Sequence, residues 1–343
     1  MSQELPASHD RIASPDRAWA RELAPLASLL AIIVFFFIVS PSFRQVGTVT
    51  SVLQQAAALC IVSVGLTYVL ICGEIDLAVG NLAVWTACSC GWLFTHESVA
   101  GPNGENACSP LLIAAVIVAP LASTVLLGFV SGALTIWSRL PSFIITLAMM
   151  NIALGLSKYL TGNQTLKVPR VLGTLGNSSI SITRSGLSLP YSMLLAAGVL
   201  LIGHLVLRHS RFGRYVYMTG GNREAARLAG VRTGMITVAC LAVSALTAGL
   251  GGLVNAGRLQ SASVLQNANL LLSAVACVVL GGTSLFGGEG GIGKTIVGVT
   301  TFCVLEVGLQ RIDWIDEDAR LLLTGTVLMA ALVLNGVLAK RSN

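Results

Sequence analysis

The stretch Gly288-Glu-Gly-Gly-Ile-Gly293-Lys294-Thr295 matches the phosphate-loop pattern GxxxxGK[ST] letter for letter. Such a loop wraps phosphate oxygens in backbone N–H groups and sets a lysine against their charge. It needs a strand before it and a metal-binding acid on a neighbouring strand. Here the motif lies between two apolar runs, and no soluble sheet is left over to supply either. The segment reads instead as a glycine-rich turn that lets two helix ends approach, with Lys294 at the membrane face.

Three further groups of residues carry chemical potential. In Gly73-Glu-Ile-Asp-Leu-Ala-Val-Gly80 two carboxylates sit at the edge of an apolar run, where they are costly unless solvated or paired. The bracketing Gly73 and Gly80 fit a broken helix whose free N–H groups Asp76 caps, and capping is favoured over a proton relay. Glu306 stands inside another run, with Gln310 and Arg311 one turn on as partners. In Gly220-Gly-Asn-Arg-Glu-Ala-Ala-Arg-Leu-Ala-Gly230, Asn222 is an N-cap, Glu224 suits the positive helix end, and Gly230 closes the helix in the left-handed region. Ala225 and Ala226 leave one face of this short helix nearly bare, and a short, stiff helix projecting from two spans suits transmission of force from a partner. HExxH and GxSxG are absent, and the histidines at 9, 96, 204 and 209 are scattered, so no catalytic, metal or cofactor set is expected.

The elements that position these residues follow from composition. Of 343 residues 54% are hydrophobic and 10% are charged, too few charges to cover a soluble globule of this size. The runs are apolar all round, which excludes a porin-like alternation. The expectation is an all-α polytopic membrane protein of about ten helices. Its spans fall near 24–40, 48–71, 75–95, 111–137, 141–160, 188–207, 234–257, 268–286, 293–311 and 320–338. Residues 1–23 and 339–343 form tails around a transmembrane domain at 24–338, and the first run reads as a retained span, not a cleaved leader.

Six arginines in loop 208–233, against the single acid Glu224, place that loop and both termini on the cytoplasmic side. The net charge of +6 is then a topological address, and a nucleic-acid partner is excluded. Five spans plus five would relate the halves by inverted repeats, with Gly73–Gly80 and Gly281–Gly288 as matching breaks. Cysteines within the runs behave as small hydrophobes. One bridge, from Cys88 or Cys90 to Cys108 across an outer loop, is open in an oxidising compartment.

Taken in order, Cys72 to Gly80, Leu140-Pro-Ser-Phe-Ile-Ile-Thr-Leu147, Phe212-Gly-Arg-Tyr215 with Gly221 to Gly230, and Gly281-Gly-Thr-Ser-Leu-Phe-Gly-Gly288 resemble the permease subunits of bacterial ATP-binding-cassette sugar importers of the ribose/xylose/arabinose type. The likeness runs over nearly the whole chain after Pro41. It implies an inner-membrane transport subunit, not an enzyme. It also implies a cytoplasmic ATPase partner, a periplasmic sugar-binding protein and a second permease copy. By that resemblance Gly221, Asn222, Glu224, Ala225, Ala226 and Gly230 make the coupling helix. Gly73, Asp76, Gly80, Gly281, Gly282, Thr283, Gly287 and Gly288 shape broken or gating helices. The polar residues within runs, Gln54, Gln55, Thr67, Asn151 and Asn255, either line the sugar path or bridge helices. The sequence departs from the family pattern at Glu74, where a second glycine is usual, at Ala78, where serine is usual, and at Lys294. An ion-coupled transporter and an amino-acid permease are the rival readings.

Overall fold

The computed structural model describes residues 15–96, 109–181, 187–267, 269–312 and 315–341. Long apolar runs with few charges fold as helices because, in lipid, each backbone group must find its partner within the segment. The helices are α1 (Pro15–Val39), α2 (Val46–Ile71), α3 (Val79–His96), α4 (Pro110–Ser138), α5 (Ser142–Thr161), α6 (Arg170–Asn177) and α7 (Tyr191–His209). They continue with α8 (Arg211–Gly221), α9 (Arg223–Leu228), α10 (Thr233–Leu259), α11 (Leu270–Leu280), α12 (Ile292–Gln310) and α13 (Glu317–Arg341). Six of them, α2, α4, α5, α7, α10 and α12, are long and apolar enough to cross a bilayer. The all-α polytopic class therefore stands, while the count of ten full spans does not follow. The expected span at 268–286 is the eleven-residue α11, which at 1.5 Å per residue covers about half of a ~30 Å hydrocarbon layer.

Helices α2, α3 and α10 form the centre. Close approach is possible because small residues face backbone. A β-carbon on Gly252 of α10 would lie 2.3 Å from the Ala83 carbonyl oxygen of α3. Around this centre α4, α5 and α7 leave wide apolar surfaces exposed, the faces that lipid would cover. At the C-terminal end of α10, two antiparallel strand pairs tie the loops: Leu166–Lys167 with Ser261–Ala262, and Ser179–Ser181 with Ser188–Pro190. Asn177 caps α10 there, donating to the carbonyls of Gly257 and Arg258 at 3.1 and 3.0 Å.

The opposite end gathers the C-termini of α2 and α7, the N-termini of α3, α5, α10 and α12, and the short helices α8 and α9. The two glycine-rich breaks meet here. Gly288 N–H donates to the Ile71 carbonyl at 2.9 Å, and a β-carbon on Gly287 would lie 2.9 Å from the Gly73 Cα. Inverted repeats would place matching breaks at opposite membrane faces. Their meeting at one end removes the motif likeness as a sign of inversion.

Cys88 and Cys90 are fully buried free thiols within α3, which continues to His96. Cys108 itself lies outside the described residues.

Candidate functional site at the broken helices

Helix α2 ends at Ile71, and the chain runs unwound from Cys72 to Ala78 before α3 begins. Gly73 makes the turn possible with φ +78°, a left-handed conformation that costs a β-carbon-bearing residue energy. An unwound segment leaves N–H and C=O groups without helical partners, and those that are buried need other partners. The sequence supplies the partners from three directions. Asp76 Oδ1 accepts from the Ala78 N–H at 2.9 Å, which is the predicted cap, and Asp76 Oδ2 accepts from the Ser244 hydroxyl of α10 at 2.7 Å. Helix α5 presents Ser142 and Thr146 one turn apart, so both face the break. Ile75 N–H donates to Ser142 Oγ at 3.0 Å and Leu77 N–H to Thr146 Oγ1 at 3.1 Å. These are the polar residues of the Pro141-Ser-Phe-Ile-Ile-Thr motif, whose role the sequence reading left unassigned. Ser and Thr at i and i+4 just past a proline, at the head of an apolar run, were the available signal.

Glu74, buried to 8% side-chain exposure, pairs with Arg223 at the start of α9. It also accepts from the Thr237 hydroxyl of α10 at 3.2 Å, and Arg223 Nη2 donates to the same hydroxyl at 3.1 Å. The carboxylate that departs from the family pattern thus has a specific set of partners. Gly80, inside α3, packs on α11, where its β-carbon would meet Leu271 at 3.3 Å.

The second break, 281–291, is built from glycine. Gly282, Gly287, Gly288 and Gly290 all have positive φ. Thr283 N–H returns to the Val278 carbonyl at 3.2 Å and Ser284 N–H to the Glu289 carbonyl at 3.0 Å. Tyr217 of α8 donates its hydroxyl to the Gly290 carbonyl at 2.9 Å. A β-carbon on Gly281 would lie 2.2 Å from the Lys294 carbonyl oxygen, so the turn folds directly onto the head of α12. The helix α11, not a strand, leads into this segment, and its groups are engaged elsewhere. Thr295, the residue a phosphate loop would offer to a metal, is buried and hydrogen-bonded to Thr67 of α2 at 2.7 Å. Residues 288–291 form the turn and 292–295 open α12, and Thr67 bridges α2 to α12 through that bond.

Helix α9 has the predicted ends. Asn222 Oδ1 accepts from the Ala225 N–H at 2.9 Å, and Gly230 takes φ +82°. Glu224 pairs with Arg227 at 2.9 Å on the exposed side. The bare alanine face is not as expected, however. Ala225 is exposed, whereas Ala226 is turned inward at 2% exposure, packed in the core. What projects is Leu228, 80% exposed, and at the same end Phe286 of the second break is 94% exposed. Neither was singled out in the sequence, because an apolar residue within a basic loop or a glycine turn does not announce which way it points. Gly221 is open, while Gly220 is the contact point. A β-carbon there would lie 1.7 Å from the Ile71 carbonyl oxygen and 2.8 Å from the Gly288 nitrogen.

The remaining path candidates separate. Asn151 is exposed halfway along α5 and donates to its own helix at Leu147. Gln54 and Gln55 are half-buried on α2. Gln55 of α2 and Arg258 of α10 both lie near Glu306 of α12. Asn255 donates to Asn267 Oδ1 at 2.7 Å and accepts from Arg258 at 3.2 Å. Asn255, Arg258 and Asn267 are therefore hydrogen-bonded as one polar group at the C-terminal end of α10, with Gln55 and Glu306 near it on α2 and α12, toward the end away from α9. Glu306 does not turn to Arg311 as the sequence suggested, because Arg311 donates to Ser51 instead, at 3.3 Å.

Residues 48–332 match the family described as branched-chain amino acid transport system / permease component. The chain is 32% identical to the ribose import permease protein RbsC of Escherichia coli over 93% of its length and 95% of that protein. It is 29% identical to the fructose import permease protein FrcC of Rhizobium meliloti, over 90% of this chain and 82% of the other. It is also 29% identical to the autoinducer 2 import system permease protein LsrC of Photorhabdus luminescens, over 92% and 90%. No solved structure matches.

Proposed function

Since the chain belongs to the permease component family of these import systems, we propose that it carries a monosaccharide across the bacterial inner membrane as the transport subunit of an ATP-binding-cassette importer. The observation that carries this reading is the 32% identity to a ribose import permease across 93% of the chain. The chemistry agrees. The chain offers hydrogen-bonding groups inside an apolar bundle, the kind of lining that a polyhydroxylated solute needs once it leaves water.

In this reading a separate ATPase docks at the α9 end, with Leu228 and Phe286 as its apolar anchors and the surrounding arginines as a charged rim. That end faces the cytoplasm, as do both termini. A periplasmic sugar-binding protein delivers its cargo to the opposite end, and a second permease copy completes the channel. Gln54, Gln55 and Asn255, joined by Glu306 and Arg258, lie on the sugar path just inside the delivery end. Closure of the ATPases moves α9, and the breaks at 72–78 and 281–291 let α3 and α12 rock against α2 and α10.

The test is uptake into proteoliposomes holding the chain together with its partner ATPase and sugar-binding protein. Labelled pentoses and hexoses are expected to accumulate only with ATP inside the cytoplasmic compartment. Accumulation of leucine or valine in their place would move the substrate class to the amino acids of the family description. Uptake driven by an ion gradient without the ATPase would overturn the reading. Leu228→Asp is expected to reduce co-purification of the ATPase while leaving the permease inserted.

A further inference from the structure

The coupling reading explains where a partner docks but not how its motion enters the membrane. Helix α9 is only six residues long and touches the bundle through few side chains. One of these is Arg223, its first residue, whose guanidinium reaches past the helix to Glu74 in the unwound segment between α2 and α3. Thr237, in the second turn of α10, accepts from Arg223 and donates to the same carboxylate. Three moving parts, the docking helix, the break and α10, thus share one carboxylate oxygen.

We infer that Glu74 and Arg223 act as a strut, positioning residues that transmit displacement of α9 into the 72–78 break. This rests on the proposed coupling role of α9. A shift of α9 pulls Arg223, and Arg223 cannot leave without stranding a buried carboxylate, which is strongly unfavourable. The break must follow. Its far side is held to α5 by Ser142 and Thr146 and to α10 by Ser244, so the pull is passed on to α5 and α10.

The two ends of the strut are not equivalent. Glu74 is buried, whereas the Arg223 side chain is 48% exposed. Glu74→Gln leaves an arginine that water can solvate. Arg223→Gln leaves a buried carboxylate with only the Thr237 hydroxyl, and is the more damaging change.

The experiment uses the reconstituted complex and measures sugar taken up per ATP hydrolysed, with the amount of assembled complex as the control. Glu74→Gln is expected to lower this ratio about tenfold, within the range a single coupling contact carries, with hydrolysis and assembly retained. Arg223→Gln is expected to lower it further, and Arg223→Lys to recover part of the loss. The Glu74→Gln/Arg223→Gln double variant should be no worse than the poorer single variant, because the pair works as one unit. Ratios within twofold of the parent, additive losses in the double variant, or uptake and hydrolysis falling in proportion would each overturn the strut. If the parent complex itself shows no ATP-driven uptake, the importer reading falls and the strut with it.

Discussion

The chain turns twice at the α9 end, at 72–78 and at 281–291, and the two turns hold their free backbone groups by different means. The first contains one left-handed glycine, and its polar groups are met by side chains from α5, α9 and α10. The second contains four positive-φ glycines, and most of its hydrogen bonds run from backbone to backbone, with the Tyr217 hydroxyl reaching in from α8. Side-chain partners make the first turn responsive, because moving any of the donor helices changes what the segment can bond. The glycine turn has fewer partners of this kind to lose, and it serves as a compact pivot against which the first turn moves. The two meet at Gly220, where neither tolerates a β-carbon.

The largest effect expected follows from that meeting point. Gly220→Ala places a methyl group 1.7 Å from the Ile71 carbonyl oxygen and 2.8 Å from the Gly288 nitrogen, both of them backbone atoms. Neither can swing aside as a side chain could, so both breaks must separate. The cost should exceed the about 1–3 kcal/mol typical of overpacking in a core. The expected outcome is loss of a monodisperse peak when the detergent-solubilised protein is run by size exclusion. A stable Gly220→Ala protein would show that the two breaks are not pressed together as described.

Second in size is the cap of the first break. Asp76→Ala removes the acceptor for both the Ala78 N–H and the Ser244 hydroxyl and leaves two buried donors unmet, at about 1–3 kcal/mol each. Asp76→Asn keeps one oxygen for Ala78 and offers an N–H to the serine oxygen. Thermal unfolding in detergent should drop clearly for the alanine variant and only slightly for the asparagine one. Uptake follows the same order if Asp76 is a cap. Were the residue a proton carrier, Asn and Ala would abolish transport alike.

Ser142→Ala and Thr146→Val come next. Each removes one acceptor for an N–H of the unwound segment, at about 1 kcal/mol apiece in line with a single hydrogen bond. Because both serve one segment, their combined cost should depart from the sum, which a melting series on the two single variants and the double variant measures directly.

The difference between the two turns also explains what was legible in the sequence. Backbone devices were readable: the Asn222 cap, the left-handed Gly230 and the broken helix at Gly73 with Asp76 as its cap all depend on local residue types. Partnerships across the fold were not. Which of Glu306's neighbours it would choose, that Glu74 would find Arg223 149 positions away, and that Ala226 would turn inward while Leu228 projects depend on the angles at which helices pack. Span counting failed at α11 for a related reason. An apolar stretch broken by its own loop is as hydrophobic as a full span, and the count sees only composition. The phosphate-loop pattern occurs here in a close turn against another helix, which its glycines and threonine suit as well as they suit a nucleotide.

The smallest effect belongs to the second break, and it has the opposite sign. Thr283 is buried, and its hydroxyl finds no hydrogen-bond partner. Its side chain instead fills the space beside Gly290, whose own β-carbon would meet it at 2.6 Å. Thr283→Val keeps that shape and removes the unpaired oxygen, so it should be neutral or raise the melting temperature slightly, by up to about 1 kcal/mol in stability. The same exchange at Thr146 is destabilising, because there the hydroxyl serves the unwound backbone. Two isosteric substitutions at one end of the molecule should therefore move the melting point in opposite directions. If Thr283→Val destabilised as much as Thr146→Val, the second turn would depend on side-chain bonding as the first does, and the division into a responsive turn and a pivot would not hold.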